Sequence, residues 1–130
     1  MDTLVYIYRS DSLRGVGVAD IRIDAQNLGE LKSGEYLSFL LAPGRHELAA
    51  RLRWLQLIPR SWNRIDFLAR PGQTVYLKIW AGYDTRVQPA AELRAASGAP
   101  TNTEVGLFLA ETDPAVALAE LPAMRRSDGP

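Results

Sequence analysis

Hydrophobic positions in this chain alternate with polar ones over short runs, and glycine or proline punctuates the runs. Thr3 to Arg9 is dense in aromatic and β-branched residues on both faces, which predicts a buried strand. Asp20-Ile21-Arg22-Ile23-Asp24 alternates cleanly, with the isoleucines on one face and the charges on the other. A turn is expected through Gln26-Asn27, with Asn27-Leu28-Gly29 closing it. Ser33-Gly34 then opens an apolar strand over Tyr36 to Leu41. Pro43-Gly44 supplies a tight turn, since proline presets φ and glycine tolerates positive φ.

Arg45 to Trp54 is the clearest strand. His46, Leu48, Ala50, Leu52 and Trp54 share one face, and Arg45, Glu47, Arg51 and Arg53 lie mostly on the other. Leu55 to Asn63 interrupts the alternation and predicts a hairpin tip or crossover loop. Strands resume over Arg64 to Ala69 and Thr74 to Trp80, around a second Pro-Gly turn at Pro71-Gly72. Val87 to Ala96 fits either a strand or a short helix, and Val105 to Ala110 fits a last strand. Asp113-Pro114 reads as a helix N-cap with proline in the first turn, Ala115 to Leu121 as the helix, and Pro122 as its end. The sum is an all-β chain: an antiparallel β-sandwich of roughly seven strands with a short C-terminal helix, forming one domain over residues 1–122, with a flexible tail over residues 123–130.

Composition narrows the functional classes. A length of 130 residues is enough for one unstapled core, and 47% hydrophobic with 23% charged residues is ordinary globular usage. Fifteen basic and fifteen acidic residues cancel, so the broad positive field of a nonspecific nucleic-acid binder is absent, and no nucleic-acid partner is expected. The absence of cysteine removes disulfides, thiolate metal sites and cysteine catalysis. No apolar run approaches the ~20 residues that span a bilayer, and the start lacks the pattern of a signal peptide.

The quoted pieces resemble a bacterial domain-of-unknown-function family, many of whose members are small envelope lipoproteins. The matching segments are VYIYR (Val5 to Arg9), NLGELKSGEY (Asn27 to Tyr36), APGRHEL (Ala42 to Leu48) and RPGQTVYLKI (Arg70 to Ile79). The chain is also similar, more distantly, to PEGA and other transthyretin-like sandwiches associated with carbohydrates or peptidases. The resemblance implies a bacterial envelope or periplasmic setting. It carries no catalytic or binding residues to transfer, and the lipidated cysteine and leader of such lipoproteins are missing. A cytoplasmic location follows instead if Met1 is the native start.

Candidate chemistry is sparse. His46 is the single histidine, and its strand position beside a turn suits hydrogen bonding to local backbone better than general-base work. Asp2, Asp11, Asp20 and Asp24 are scattered without calcium-loop spacing, and Asp20 and Asp24 read as one solvated strand face. Gly15-Val16-Gly17 lacks the third glycine and the strand-to-helix setting of a phosphate loop. Glu30, Glu35 and Glu47 read as surface carboxylates. No enzyme activity, cofactor or metal is expected.

One patch rises above this background. Between Arg45 and Arg70, six arginines face only Glu47 and Asp66, with large apolar residues among them. Arg51, Arg53, Trp54, Leu57, Ile58, Arg60, Trp62 and Arg64 form the candidate partner-contact surface, because arginine and tryptophan are enriched at binding hot spots. The competing reading is that both tryptophans close one end of the sandwich under arginine stems. The function expected is a noncatalytic interaction or accessory domain whose partner is another protein, with a membrane interface as a further contact for the patch. The alternative is a carbohydrate- or small-ligand-binding module using Tyr6, Tyr8, Tyr76, Trp80 and Tyr83 as a platform for a glycan; against it, most of those tyrosines sit within strands and read as core residues or cross-strand pairs.

Overall fold

The computed structural model describes residues 1–11, 17–54, 58–59, 62–83 and 105–127. The described chain is mostly β, with two sheets and one short helix near its C-terminal end. Its strands in chain order are β1 (Thr3–Arg9), β2 (Val18–Ile23), β3 (Gln26–Leu31), β4 (Glu35–Leu41), β5 (Gly44–Trp54), β6 (Ile58–Pro59), β7 (Asn63–Ala69), β8 (Thr74–Tyr83) and β9 (Val105–Glu111). Helix α1 (Pro114–Glu120), one 3₁₀ turn (Leu121–Ala123) and the two-residue strand β10 (Arg125–Arg126) follow.

The first sheet has the order β10-β4-β1-β8-β9, and the second the order β3-β2-β5-β6, with β7 also on β5. Strand β1 is central in its sheet, antiparallel to β4 but parallel to β8, and β10 is parallel to β4, which corrects the wholly antiparallel pairing expected. The long strand β5 pairs β2 on one edge; on the other, Gly44–Ala50 pairs β7 and Arg53–Trp54 pairs β6.

Alternation decides which face each side chain takes. Val5 and Ile7 of β1, Ile21 of β2, Leu48, Ala50 and Leu52 of β5, Phe67 of β7 and Leu77 and Ile79 of β8 are buried in one cluster that draws on both sheets. Residues of opposite parity on β1 and β8 form a second cluster on the far side of the first sheet, where Tyr8 and Tyr76 pack against Ala117 of α1. Two apolar faces on one sheet explain why β1 reads as apolar throughout.

A buried ion pair ties the end of β1 to three other segments. Arg9 is fully buried; its Nε donates to Asp11 Oδ1 at 2.7 Å, and its Nη1 donates to the carbonyls of Gly17 at 3.0 Å and Leu31 at 3.1 Å. Asp11 Oδ1 also accepts the Ala81 N–H at 2.9 Å, and Asp11's side chain is only 4% exposed. No buried nitrogen or oxygen of either side chain is left without a partner, as a buried charge requires.

Several sequence expectations need correction. The turn after β2 falls at Asp24-Ala25, both at positive φ (51° and 67°), whereas Gln26, Asn27 and Gly29 lie within β3. Two consecutive left-handed residues between Ile23 and its partner Gln26 make a two-residue hairpin with the twist its strands need. The strand count also exceeds the roughly seven expected, since β3 and the two-residue pieces β6 and β10 add to the tally. Residues 124–127, expected to begin a tail, instead lie along β4: Arg125 and Ser127 donate backbone N–H groups to Gly34 and Tyr36 at 2.9 and 2.8 Å. The Val87 to Ala96 segment lies outside the described residues.

Candidate functional site

The outer face of the first sheet carries an aromatic floor. Because β1 puts Val5 and Ile7 inward, Tyr6 and Tyr8 must point outward; the parallel register sets Tyr6 beside Tyr76, and the antiparallel one sets Tyr8 beside Tyr36. The Tyr6 and Tyr76 rings stack at 5.6 Å between centroids and 10° between planes. Tyr36 meets Tyr6 at 6.1 Å and 46°, which turns the floor up into a corner. Further along the same face, Trp80 stacks on Phe108 at 5.6 Å, with the Lys78 ammonium 5.8 Å from the indole.

Helix α1 lies across this floor. Asp113 caps it, its Oδ1 accepting the Ala115 N–H at 2.8 Å, and Pro114 occupies the first turn. Ala117, with no side chain beyond Cβ, is fully buried and packs into the Tyr8–Tyr76 cluster. Glu120 then latches the helix, accepting from Tyr8 Oη at 3.0 Å and from Lys78 Nζ at 3.1 Å. Burial, aided by the neighbouring Glu120 carboxylate, pushes the Tyr8 phenol up to about 12. Tyr8 therefore stays neutral and serves the latch.

Between floor and helix a pocket of about 380 Å³ remains, within the range typical of small-ligand sites. Tyr6, Tyr36 and Tyr76 make its floor. Leu118, Leu121, Pro122 and Met124 make its roof and lip, with Leu118 more than half exposed. Among the described residues no carboxylate, ammonium or guanidinium lines it. The hydroxyls of Tyr6, Tyr36 and Tyr76 make no hydrogen bond to the described residues. The Arg126 guanidinium lies 6.0 Å from the Tyr36 ring and donates to Ser38 Oγ at 2.9 Å.

The arginine patch lies on the second sheet, and its guanidinium groups have acidic and aromatic neighbours. Asp20 on β2 accepts from Arg51 Nε at 3.0 Å and from Arg53 Nε at 2.9 Å; Glu30 takes a second nitrogen of Arg53, and Glu47 takes Arg64. Trp62 is partly buried, with the guanidinium carbons of Arg22 and Arg51 at 4.2 and 4.5 Å from its ring centroid. Arg51, Arg53, Trp62 and Arg64 are thus brought together. Leu57 and Arg60, and the side chains of Trp54 and Ile58, lie outside the described residues.

His46 bonds local backbone as expected, its Nε2 sitting 2.7 Å from the Ala42 carbonyl, but Nδ1 also meets Asp24 Oδ2 at 2.5 Å. Both partners only accept, so the doubly protonated ring satisfies both, and the Asp24 bond followed by the Ala42 carbonyl holds its pKa above the ordinary histidine value. Partial burial works to raise the Asp24 carboxyl, yet the His46 bond and the Glu47 N–H outweigh it and hold Asp24 below its usual range. The reading of Asp20 and Asp24 as one solvated strand face is therefore corrected: Asp20 anchors two arginines, and Asp24 pins a turn. Among the described residues no three potential metal ligands cluster.

Sequence reasoning named Tyr6, Tyr8, Tyr76 and Trp80 as a platform, and the structure sets all four on one face. Tyr8 faces the helix rather than the pocket, and the Tyr83 side chain lies outside the described residues. The expectation missed Tyr36, Leu118, Leu121 and Met124. Parity on the β4 strand was a usable signal for Tyr36; the docking of the helix onto this face has none in the sequence. Comparison of the chain with protein-family models, with curated proteins and with solved structures found no match.

Proposed function

We propose that this chain is a noncatalytic interaction domain of β-sandwich, transthyretin- or PEGA-like architecture, and that it recognises its partner through the tyrosine-floored pocket. The observation that carries the reading is the pocket itself: three phenol rings whose hydroxyls make no hydrogen bond to the described residues, under an apolar roof, with no ionised group among the described lining residues. Aromatic floors with a few polar handles suit recognition, because they offer large area at low ordering cost. The noncatalytic part is supported by the engagement of both His46 ring nitrogens with acceptors in the fold. The pocket is preferred to the arginine face because Arg51, Arg53 and Arg64 already bond carboxylates, so a partner there has to displace existing ion pairs. A bacterial envelope setting, and a protein rather than a glycan as partner, complete the proposal.

Selective ¹³C-methyl labelling of the two methionines gives a direct test. Met124 reports on the pocket, and Met1, 92% exposed and absent from its lining, serves as the internal control. A panel of blocked peptides and neutral oligosaccharides is expected to contain probes that shift Met124 saturably and leave Met1 still. If no member of the panel moves Met124, the pocket reading fails.

A further inference from the structure

We infer that the pocket takes an uncharged, proline-rich peptide segment in the polyproline II conformation; this rests on the pocket being the recognition surface. Three features of the lining select that chemistry.

Among the described residues the lining itself holds no ionised side chain, so a charge carried inside the pocket meets no direct counter-charge. A cationic ligand meets a further obstacle, because the Arg126 guanidinium stands 6.0 Å from the Tyr36 ring and sets positive charge at that end of the floor. The three phenol hydroxyls can each donate to a carbonyl oxygen. A polyproline II segment presents carbonyls around its axis, and its prolyl nitrogens carry no hydrogen, so it asks for donors and for little else. A saccharide ring carries several hydroxyls along its edge that each donate and accept, and among the described residues the lining offers only three phenol hydroxyls, with neither carboxylate nor carboxamide, to meet them.

The shape agrees with the chemistry. The Tyr6 and Tyr76 rings stack nearly parallel and the Tyr36 ring stands tilted against Tyr6, so a prolyl ring meets aromatic surface from more than one direction. Leu118 and Met124 supply the apolar lip. The floor rings stand on strands, so they lose little freedom on binding, and a polyproline II ligand is itself pre-ordered.

The test is a titration of the methionine-labelled protein with three probes: a blocked oligoproline, a blocked Gly/Ser peptide of equal length, and a neutral oligosaccharide. Oligoproline is expected to shift Met124 saturably at low and high salt alike, since no charged group takes part. The other two probes are expected to leave Met124 unmoved. Tyr36→Phe, which keeps the ring and removes the hydroxyl, should weaken oligoproline by ~2–10-fold, the worth of one neutral hydrogen bond. Tyr36→Ala should weaken it further, and the spectrum of each variant shows whether it is folded. A response of Met124 to the oligosaccharide but not to oligoproline overturns the proline assignment and leaves the pocket reading standing. A Met124 signal indifferent to all three overturns the proline assignment, and the broader panel then decides the pocket. Unchanged affinity in Tyr36→Phe overturns the role given to that hydroxyl.

Discussion

Removing the charge of Arg9 should be among the costliest single changes in the first sheet. Arg9→Met preserves much of the side-chain length but leaves Asp11 buried with the Ala81 N–H as its remaining described side-chain partner, and strips the Gly17 and Leu31 carbonyls of their guanidinium donor. Breaking a buried pair by deleting one member costs about 3–5 kcal/mol, because the surviving charge stays desolvated. For 130 residues the unfolding entropy near the midpoint is about 0.27 kcal/mol/K, so Tm should fall by ~11–18 °C. Asp11→Asn keeps the size and an acceptor oxygen, and should cost less, about 1.5–3 kcal/mol. The double variant should recover part of the summed loss, which identifies the coupling. Glu47→Gln is the control, since its partner Arg64 is 54% exposed and such pairs contribute under ~1 kcal/mol. Thermal and urea unfolding followed by circular dichroism, at low and high salt, read all four proteins. If Arg9→Met costs no more than Glu47→Gln, or if its cost vanishes in high salt, the pair is not the buried fastener described above.

Three further outcomes follow from the geometry. The raised His46 pKa stabilises the fold fully below the unfolded value of about 6.5 and loses that contribution as pH rises through the folded value. Asp24, held low, contributes above about 3.8 and loses it on further acidification. His46→Gln should therefore cost most between roughly pH 4 and 6.5 and least at alkaline pH; Asp24 is 47% exposed, so screening limits the effect to about 1 kcal/mol, read from urea midpoints across pH. Ala25→Gly should stabilise by about 0.5–1 kcal/mol, since Ala25 is held at φ 67° and glycine takes that conformation at little cost; a lower Tm would refute the turn assignment. Ala117→Leu should destabilise by about 1–3 kcal/mol, because its Cβ is fully buried against Tyr8 and Tyr76, whereas Val116→Leu at the neighbouring exposed position should be near neutral.

The local chemistry of turns made much of the fold legible. Thr3 to Arg9 and the long strand to Trp54 could be read with nearly their observed bounds, because alternation and the flanking Gly and Pro act within a few residues. The capped helix at Asp113-Pro114 was legible for the same reason. The turn at Asp24-Ala25 was not, because Ala25 has no turn propensity and Asp24 is held by His46, twenty-two positions away. The pairing of Arg51 and Arg53 with Asp20 was equally hidden, since it depends on strand register. For the site, Tyr6, Tyr8, Tyr76 and Trp80 could be named from the sequence as a group of aromatics, while their adjacency depended on strand register and the roof on which sheet the helix covers.

The parallel pairing of β1 with β8 also sets an order of events during synthesis. Leu4 finds its partner Thr74 only seventy positions later, and of the described strands in between only β4 joins the first sheet, the others forming the second. Until then Val5 and Ile7 have neither their parallel neighbour nor a complete core, on a segment whose β-rich sequence favours association with other unfinished chains. The central strand of the finished sheet is thus the most vulnerable stretch of the nascent one, and its safe passage depends on the rate at which β8 arrives.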